Sequence, residues 1–255
     1  MENNDEIVFN CSYDKDMLKK LQDILWKMYC EVSDIFDKNN ITYFLAFGTL
    51  IGAARHGDFI PWDDDLDICI MKDDYDKALQ LLEKYLSDDF AVDYFAIKRW
   101  NHAKVRHLKS EMTPYGKIDT SATQYPGICM DLFRCWQAKH RRWDRKIGFL
   151  QIRRMVAKNN IIKYFAYNIM VKFLIVINKF TKEKTFYDTD PISDNLPHYP
   201  KEWIFPLTKL NFRGRSCPVP NNYDAMLSAR YEFDWRTLPP MNERHNHFQA
   251  IKIWE

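Results

Sequence analysis

Four aspartates lie around one leucine in the segment PWDDDLDICI, residues 61–70. Alternate side chains of an extended chain point to opposite faces, so Asp63, Asp65 and Asp67 share one face. The fourth, Asp64, points the other way. Carboxylates two residues apart, about 6.6 Å between Cα atoms, can bind one hard cation together. We therefore expect a site for Mg²⁺, with Mn²⁺ as the alternative ion, in which the metal offsets the repulsion and leaves room for substrate phosphates.

Two other interpretations of this acidic segment fit less well. A calcium loop also begins with Asp-x-Asp-x-Asp, but it requires Gly at the next position and a bidentate Glu at its twelfth. Ile68 and Asp74 stand at those two places. A solvated acidic turn is the other alternative, and the apolar residues that follow directly in LDICI, residues 66–70, argue against it.

Gly48 and Thr49 follow the apolar run ITYFLAF, residues 41–47, and begin a predicted short helix through LIGAARH. A helix N-terminus that follows a buried strand presents backbone N–H groups and the positive end of the helix dipole to a phosphate. A Gly-Thr pair alone is a weak signal, but an acidic metal site lies shortly downstream. Together the two segments predict a site for a nucleotide pyrophosphate.

Basic residues near these segments could stabilise a transferring phosphoryl group. Arg55 and His56 end the predicted short helix. Lys104 and Arg106 share one face of the predicted strand HAKVRHL, residues 102–108. For the first pair the alternative is a surface salt bridge, and for the second it is a solvated edge strand.

Asp131 lies in the apolar segment GICMDLF, residues 127–133, where an unpaired carboxylate would be costly. We expect it either to complete the metal shell or to take the proton of an acceptor hydroxyl. The alternative is a core aspartate that pairs with Arg134 or with a backbone amide.

The segment RHNH, Arg244–His247, contains a His-x-His pair that could supply two zinc ligands. The sequence places no cysteine or acidic cluster beside it to complete a tetrahedral set. We therefore expect a C-terminal turn, or a contact with the donor or acceptor, and assign these residues no metal.

The surrounding pattern predicts the elements that position these side chains. Apolar residues at three- and four-residue steps predict an amphipathic helix over 15–38, and Asp73 or Asp74 is expected to cap a helix over 75–86. The order of elements indicates an α+β fold, in which helices flank a mixed sheet. Short apolar and aromatic runs predict strands at 41–47, 65–71, 90–97, 102–108 and 127–133.

The second half of the chain is predicted to be mostly helical or irregular. A long helical region is expected over about 139–180, followed by a Pro-rich stretch and a further helix near 221–231. We therefore divide the chain into a core, residues 1–138, and a mostly helical C-terminal lobe, residues 139–255, that packs on it.

The most apolar helix candidate is IIKYFAYNIMVKFLIVINKF, residues 161–180. Lys163, Lys172, Asn168 and Asn178 interrupt it, so it falls short of the ~20 apolar residues of a membrane span. Two interpretations stay open: a buried helix of the C-terminal lobe, and an interfacial helix in peripheral contact with anionic lipid.

Composition limits the class of protein and its compartment. The 255 residues are 46% hydrophobic, which is enough for a sizeable core. With 37 basic and 35 acidic residues the formal charge is +2, so no nucleic-acid partner is expected. The six cysteines form no CxxC pair, and the N-terminal residues lack the pattern of a signal peptide. A cytoplasmic location, with peripheral contact at the inner face of the membrane as an option, is therefore expected.

The block FGTLIGAARHGDFIPWDDDLDICI, residues 47–70, resembles the signature of the LicD family, which includes fukutin and fukutin-related protein and belongs to the nucleotidyltransferase-fold superfamily. The HAKVRHL strand is similar to the family's Lys-x-Arg strand. The segment VPNNYDAMLSARYEFDW, followed by TLPPMNERHNH, is similar to its C-terminal region. The superfamily pattern of Gly-Ser/Thr, Asp-x-Asp and a later carboxylate maps onto Gly48-Thr49, Asp65 with Asp67, and Asp131.

The resemblance implies a nucleotidyltransferase-like core sheet and a Mg²⁺-dependent phosphotransferase. Such an enzyme moves a phospho-alcohol, here with phosphocholine favoured, from a CDP-linked donor such as CDP-choline to a sugar hydroxyl of a surface or lipid-linked glycan, and releases CMP. A nucleotidyltransferase that releases pyrophosphate, an inactive glycan- or nucleotide-binding module, and a membrane scaffold are the competing functions. In this interpretation Asp65, Asp67 and Asp131 are catalytic, Asp63 also binds the metal, and Gly48, Thr49, Arg55, His56, Lys104 and Arg106 bind the donor.

Overall fold

The computed structural model describes residues 14–94, 102–114, 124–138, 146–147, 149–150, 153–154, 160–180, 185–187, 197–231 and 234–254. Within these ranges the chain has an α+β architecture, as the sequence predicts. The helices are α1 (Lys15–Lys38), α2 (Phe47–Arg55), α3 (Lys72–Tyr85), α4 (Ile161–Lys179), α5 (Lys201–Ile204) and α6 (Tyr223–Arg230). The strands are β1 (Tyr43–Leu45), β2 (Leu66–Met71), β3 (Phe90–Asp93), β4 (Ala103–His107), β5 (Ser110–Pro114), β6 (Cys129–Ala138), β7 (Thr185–Tyr187), β8 (Tyr199–Pro200), β9 (Thr208–Phe212), β10 (Arg215–Val219) and β11 (Phe248–Ile253).

A mixed sheet forms the centre of the described chain. Its strand order is β1-β2-β6-β4-β3, with β7 paired to the end of β6 and β8 paired to β7. β2 and β6 run parallel, while the other neighbours are antiparallel. The register places Asp67 opposite Asp131, and Asp131 opposite Lys104. Three residues singled out from the sequence therefore cross the sheet in one row.

Both faces of this sheet are covered, and alternation along the strands explains how. Tyr43 and Leu45 of β1 join the large core that contains α1 and α3. Phe44 between them points to the opposite face, where it packs with residues such as Ile204 of α5 and Met226 of α6. Burial on both faces fixes the register of β1, because a slip by one residue would exchange the two sets.

Helix α1 matches its predicted range, 15–38. Asp14 caps its N-terminus, where the side chain accepts a hydrogen bond from the Met17 N–H at 2.9 Å. Leu18, Leu25 and Val32 are among the residues on its buried face, at the spacing that favours an amphipathic helix.

Helix α3 begins earlier than predicted, and its capping prediction is wrong. The N-cap residue is Met71, and no side-chain hydrogen bond caps the helix. Asp74 instead accepts a hydrogen bond from the Thr42 N–H at 3.0 Å, which joins α3 to the residue before β1. The Asp74 carboxylate, which the local pattern assigned to the helix cap, therefore makes a tertiary contact instead.

The prediction of a mostly helical C-terminal lobe is not confirmed. The described part beyond residue 139 contains α4, α5 and α6, but also β7 to β11, of which the sequence analysis predicted none. β9 and β10 form a hairpin, and β11 pairs with β5 of the predicted core. Much of the predicted helical region before Asn160 lies outside the described residues. The division at residue 138 stays a prediction.

No helix in the described ranges is both long enough and apolar enough to cross a bilayer. Helix α4 nevertheless leaves many large apolar side chains exposed, including Ile162, Phe165 and Phe173. Its buried side packs Val171 against Ile147 and Leu150, in a small cluster separate from the two clusters of the sheet.

Candidate active site

A cleft of about 490 Å³ lies where the N-terminus of α2 meets the start of β2. Asp63, Asp65 and Asp67 all line it, as the alternation of side chains predicts. Gly48 lies on the α2 side, and residues between Tyr231 and His247 close the other side. The cleft therefore combines the two segments that the sequence analysis paired, and adds a third from the C-terminal region.

The three aspartates of the cleft repel one another. Burial raises the pKa values of Asp63 and Asp67 well above the usual range of an aspartate, and neighbouring carboxylates raise both values further. The pKa of Asp65 is raised too, first by burial, although His247 opposes the shift. Opposite charge brought close to such a group would favour its ionised form. The cluster is thus suited to a divalent cation.

Gly48 allows the close approach of α2 to the acidic segment. A Cβ atom at this position would lie 2.9 Å from Asp63 Oδ2, closer than real Cβ contacts. Any other residue would therefore push the carboxylate away from the helix N-terminus. Glycine leaves the Asp63 carboxylate in this position because of the close contact, and not because of a special backbone angle.

Thr49 is buried, and its side chain does not line the cleft. Its Oγ1 accepts a hydrogen bond from the Asp67 N–H at 2.8 Å, while the Ala46 N–H donates to the Asp67 carbonyl at 3.0 Å. These two bonds join the start of α2 to β2 and fix the position of Asp67. The predicted phosphate contact of Thr49 would use its backbone N–H group.

Asp64 points away from the cleft and holds the C-terminal segment. Its carboxylate accepts hydrogen bonds from the His247 N–H at 2.9 Å and 3.0 Å and from the Phe248 N–H at 3.1 Å. The His247 Nδ1 lies 2.9 Å from the same carboxylate. A side chain with no exposed surface and several bonds to a distant segment is a structural anchor.

Histidine 247 joins the acidic cluster, which the sequence analysis missed. Its Nδ1 lies 3.3 Å from Asp65 Oδ2, and the hydrogen bond with Asp64 raises its pKa to about 9. Among the described residues, Asp63, Asp65 and His247 each offer a metal-ligand atom, and these atoms lie within 4.8 Å of one another. The prediction that RHNH has no acidic cluster beside it is therefore wrong. None lies near it in the sequence, but the fold brings Asp64 and Asp65 next to His247.

Two further residues of RHNH, Arg244 and Asn246, contact Trp62. The Arg244 guanidinium carbon lies 4.5 Å from the centre of the Trp62 ring. Asn246 Nδ2 donates to the Trp62 carbonyl at 2.7 Å. The residue before the acidic segment thus helps to seat His247 at the cleft.

Asp131 is held by Lys104 and His102 and does not line the cleft. Lys104 Nζ lies 2.5 Å from its Oδ1, and His102 Nε2 lies 3.6 Å from its Oδ2. Although burial opposes the shift, Lys104 and His102 hold the pKa of Asp131 well below its usual range. In return, Asp131 raises the pKa of Lys104. The alternative partner Arg134 instead lies over the Tyr75 ring at 4.7 Å.

The other predicted cations are placed differently from one another. Arg106 is buried, and donates to Asp93 Oδ2 at 3.2 Å and to the Gly127 carbonyl at 3.0 Å. Arg55 lines the cleft, where it donates to the carbonyls of Trp235 and Thr237. His56 accepts a hydrogen bond from Arg55 Nε at 2.9 Å and does not line the cleft.

Comparisons with known proteins agree with the resemblance drawn from the acidic block. Residues 40–143 match the family model described as LicD/FKTN/FKRP, nucleotidyltransferase domain. The lipopolysaccharide cholinephosphotransferase LicD of Haemophilus influenzae is 27% identical, over 83% of this chain and 88% of that protein. The ribitol 5-phosphate transferase FKRP of Homo sapiens is 44% identical over 50 residues, which cover 20% of this chain and 10% of that protein.

The matched range contains α2, β2 and β6, and therefore Gly48, the acidic cluster and Asp131. It ends before His247 and the segment that closes the cleft. The expected resemblance to the LicD family is confirmed.

Proposed function

We propose that this chain, whose residues 40–143 form a LicD-family domain, is a Mg²⁺-dependent phosphotransferase. It transfers a phospho-alcohol, with phosphocholine favoured, from a CDP-linked donor to a sugar hydroxyl of a surface or lipid-linked glycan. The bond between the donor's β-phosphorus and the oxygen of CMP breaks, and CMP leaves with the electron pair. A bond from the β-phosphorus to the acceptor oxygen forms, and the hydroxyl proton passes to water. The similarity to a lipopolysaccharide cholinephosphotransferase supports this class of reaction.

The buried acidic cluster is the observation that carries the proposal. Several carboxylates with raised pKa values face one cleft, and they destabilise the fold unless a cation compensates them. A purely structural role would not explain this cost. A site for a metal and a pyrophosphate does explain it, because the donor needs a cation at its phosphates.

Asp63, Asp65 and Asp67 would hold the Mg²⁺. Carboxylate oxygens are the ligands that this ion prefers, and the close oxygens of Asp63 and Asp65, with Asp67 in the same cleft, fit a divalent ion. When bound, Mg²⁺ would offset negative charge on the pyrophosphate and on the departing CMP. Mn²⁺ accepts the same ligands and would be an active substitute.

The remaining residues bind and orient the donor. The N–H groups of Gly48 and Thr49 would bind its phosphates at the N-terminus of α2. Arg55, at the C-terminal end of α2, would contact the donor, with His56 supporting its guanidinium. His247, as a cation, would bind a phosphate oxygen near Asp65.

Asp131 and Lys104 act as a positioning pair in this proposal. A carboxylate with a strongly lowered pKa is a weak base, so the role of proton acceptor suits Asp131 poorly. Its ion pair fixes Lys104 next to Asp67, where the ammonium favours the ionised state of that ligand. Arg106 would act indirectly, because its hydrogen bond to Asp93 joins β4 to β3 and does not reach the donor.

The phosphate of an uncharged polyol, such as ribitol or glycerol, is a second candidate cargo. A quaternary ammonium such as choline binds on aromatic faces, and Phe47 and Trp62 are rings of the cleft. The guanidinium of Arg230 lies 4.0 Å from the Phe47 ring centre, and that of Arg244 lies over Trp62. Each of these cations covers one face of an aromatic ring in the cleft, and this observation supports ribitol or glycerol phosphate as the second candidate.

The activity test combines each donor with a glycan acceptor and separates the products. CDP-choline, CDP-ethanolamine, CDP-ribitol and CDP-glycerol are compared with Mg²⁺, Mn²⁺ or a chelator. Asp65→Asn and Asp67→Asn are expected to lower turnover by about a hundredfold or more. The matched control is Asp76→Asn, an exposed aspartate of α3 that should keep full activity.

Each outcome separates the candidate functions. CMP release that requires the metal and one donor supports the phosphotransferase and identifies its cargo. Release of pyrophosphate from a nucleoside triphosphate would show a nucleotidyltransferase instead. Binding of donor without turnover would favour an inactive module, and vesicle binding without any donor effect would favour a scaffold.

A further inference from the structure

Helix α4 presents an apolar stripe to solvent, and this stripe has the spacing of one helix face. Its members recur at three- and four-residue steps, and each is more than half exposed. Such a face has no reason to form unless something covers it. The stripe consists of Ile162 (79% exposed), Phe165 (55%), Ile169 (66%), Phe173 (64%) and Val176 (52%), and Phe180 (83%) follows directly after the last residue of α4.

The opposite side of α4 packs against residues 147–154. Val171 is 3% exposed and packs with Ile147 and Leu150, with Tyr167 and Leu174 beside them. Arg154 donates to the Asn168 side chain at 3.1 Å, which adds a polar contact. The stripe is therefore the face of α4 opposite to the one that packs on residues 147–154.

The charges on α4 are all basic. Lys163 and Lys172 are exposed, and neither Asp nor Glu occurs in the helix. At about 100° of rotation per residue, these two lysines lie on opposite flanks of the stripe. Long basic side chains beside an apolar face can extend to the headgroups while the apolar side chains enter the acyl boundary.

The sequence on either side of α4 is also rich in basic residues. Between residues 139 and 184 the sequence has basic residues in RR and RRW clusters and only two acidic residues, Asp144 and Glu183. The whole chain has a formal charge of only +2, so the basic residues are concentrated around α4. A local excess of positive charge complements a surface of anionic lipid.

We propose that α4 lies flat on an anionic membrane, with the stripe in the interface and the flanking lysines at the headgroups. The helix is too polar to cross the bilayer, in agreement with the absence of a spanning helix among the described residues. Surface binding would place the cleft near acceptors that are attached to lipid. The inference goes beyond the proposed transfer and does not depend on it, because binding needs neither metal nor donor.

The test is cosedimentation of the intact chain with vesicles. Vesicles of phosphatidylglycerol mixed with phosphatidylcholine should bind the protein, and vesicles of phosphatidylcholine alone should bind it at least about tenfold more weakly. The double variant Phe165→Ser/Phe173→Ser should reduce binding by about tenfold or more, because it removes apolar area from the stripe. Its matched control is Tyr85→Ser/Trp254→Ser, which changes two aromatic residues of similar exposure elsewhere.

A second pair of variants tests the role of charge. Lys163→Gln/Lys172→Gln should weaken binding to anionic vesicles by about tenfold and reduce its dependence on salt. Lys15→Gln/Lys20→Gln, which changes two exposed lysines of α1, should leave binding unchanged. Circular dichroism and thermal melts check that every variant is folded.

Three results would overturn the proposal. The first is wild-type protein that binds neither kind of vesicle, and the second is equal loss in the matched controls. The third is a dimer that dissociates in Phe165→Ser/Phe173→Ser and that binds no lipid, since a second copy would then be what covers the stripe. Full CMP release by variants that no longer bind vesicles would leave the proposed function intact, so the two can fail separately.

Discussion

At the scale of single residues, one missing methyl group controls how closely α2 approaches the acidic cluster. Gly48→Ala would place its Cβ against Asp63 Oδ2. We expect metal binding and turnover to fall about tenfold or more, since the ligand moves out of its productive position. Stability should not fall by much, because alanine is favoured over glycine in a helix by up to ~1 kcal/mol.

Paired assays of Gly48→Ala distinguish a local effect from unfolding. Metal affinity by calorimetry and the thermal midpoint are measured on the same samples. Ala54→Ser, on the same helix, serves as the control for a small side-chain change. Wild-type metal affinity in Gly48→Ala would show that the Asp63 contact is not needed.

The repulsion among the aspartates should be visible without metal. Because the folded pKa of Asp67 lies well above its unfolded value, its contribution to stability is present below the unfolded value and is lost as pH rises through the folded value. Metal-free wild-type protein should therefore melt at lower temperature as pH rises from acidic to neutral. In Asp67→Asn this dependence should be weaker, and the midpoint at neutral pH should be higher by about 2 °C or more.

Thermal melts across pH, in a chelator, provide the measurement. Added Mg²⁺ should raise the midpoint of wild-type protein and leave Asp67→Asn nearly unchanged. Asp76→Asn again serves as the control. A metal-free Asp67→Asn protein that is less stable than wild type at neutral pH would contradict the repulsion argument.

The acidic residues of the cleft could be predicted from local sequence, whereas the residues that close its other side could not, for a physical reason. Alternation along a strand placed Asp63, Asp65 and Asp67 together and sent Asp64 the other way. His247 lies 183 residues from Asp64 in the chain, and no periodic pattern reports such a contact. The motif match also grouped Asp131 with the ligands, but it could not show that Lys104 holds this carboxylate.

At the scale of elements, Asp64 joins the acidic segment to the start of β11. It accepts the N–H groups of His247 and Phe248 in a place that water does not reach. Asp64→Ala would leave both donors without this partner, and each lost bond of this kind costs about 1–3 kcal/mol. We expect a loss of about 3 kcal/mol in the free energy of unfolding.

Denaturant unfolding of the intact chain measures this loss. Asp64→Asn keeps one acceptor oxygen and should lose less than Asp64→Ala. Asp76→Ala, an exposed position, is the control and should change stability little. Equal stability of wild type and Asp64→Ala would refute the anchoring role.

The long elements were predictable, and the short late strands were not. Helix α1 has several turns of regular apolar spacing, so its range follows from the sequence. The strands β9, β10 and β11 are only five or six residues long and lie among prolines and charges. Their stability comes from pairing, in the case of β11 with the distant β5, and pairing is not a local property.

At the scale of the whole molecule, the cleft and the apolar stripe of α4 belong to different packing units. The cleft is built on the sheet and its two large clusters, whereas α4 packs on the cluster of Ile147, Leu150 and Val171. A ligand stabilises the units that contact it, and hydrogen exchange reports such local stabilisation. The two binding events should therefore protect different parts of the chain.

Hydrogen exchange of the intact chain can test this separation in one series. Mg²⁺ with a CDP-linked donor should slow exchange in residues 46–50 and 244–248 together. The Thr49–Asp67 hydrogen bond joins the first segment to the acidic strand, and the Asp64–His247 bonds join that strand to the second segment. Anionic vesicles should slow exchange in residues 161–180 and leave both cleft segments unchanged. In Asp65→Asn the first pattern should disappear while the second persists, and in Phe165→Ser/Phe173→Ser the reverse should hold. Protection of 46–50 without 244–248 would mean that the C-terminal segment takes no part in the site, and the site would then lie within residues 40–143.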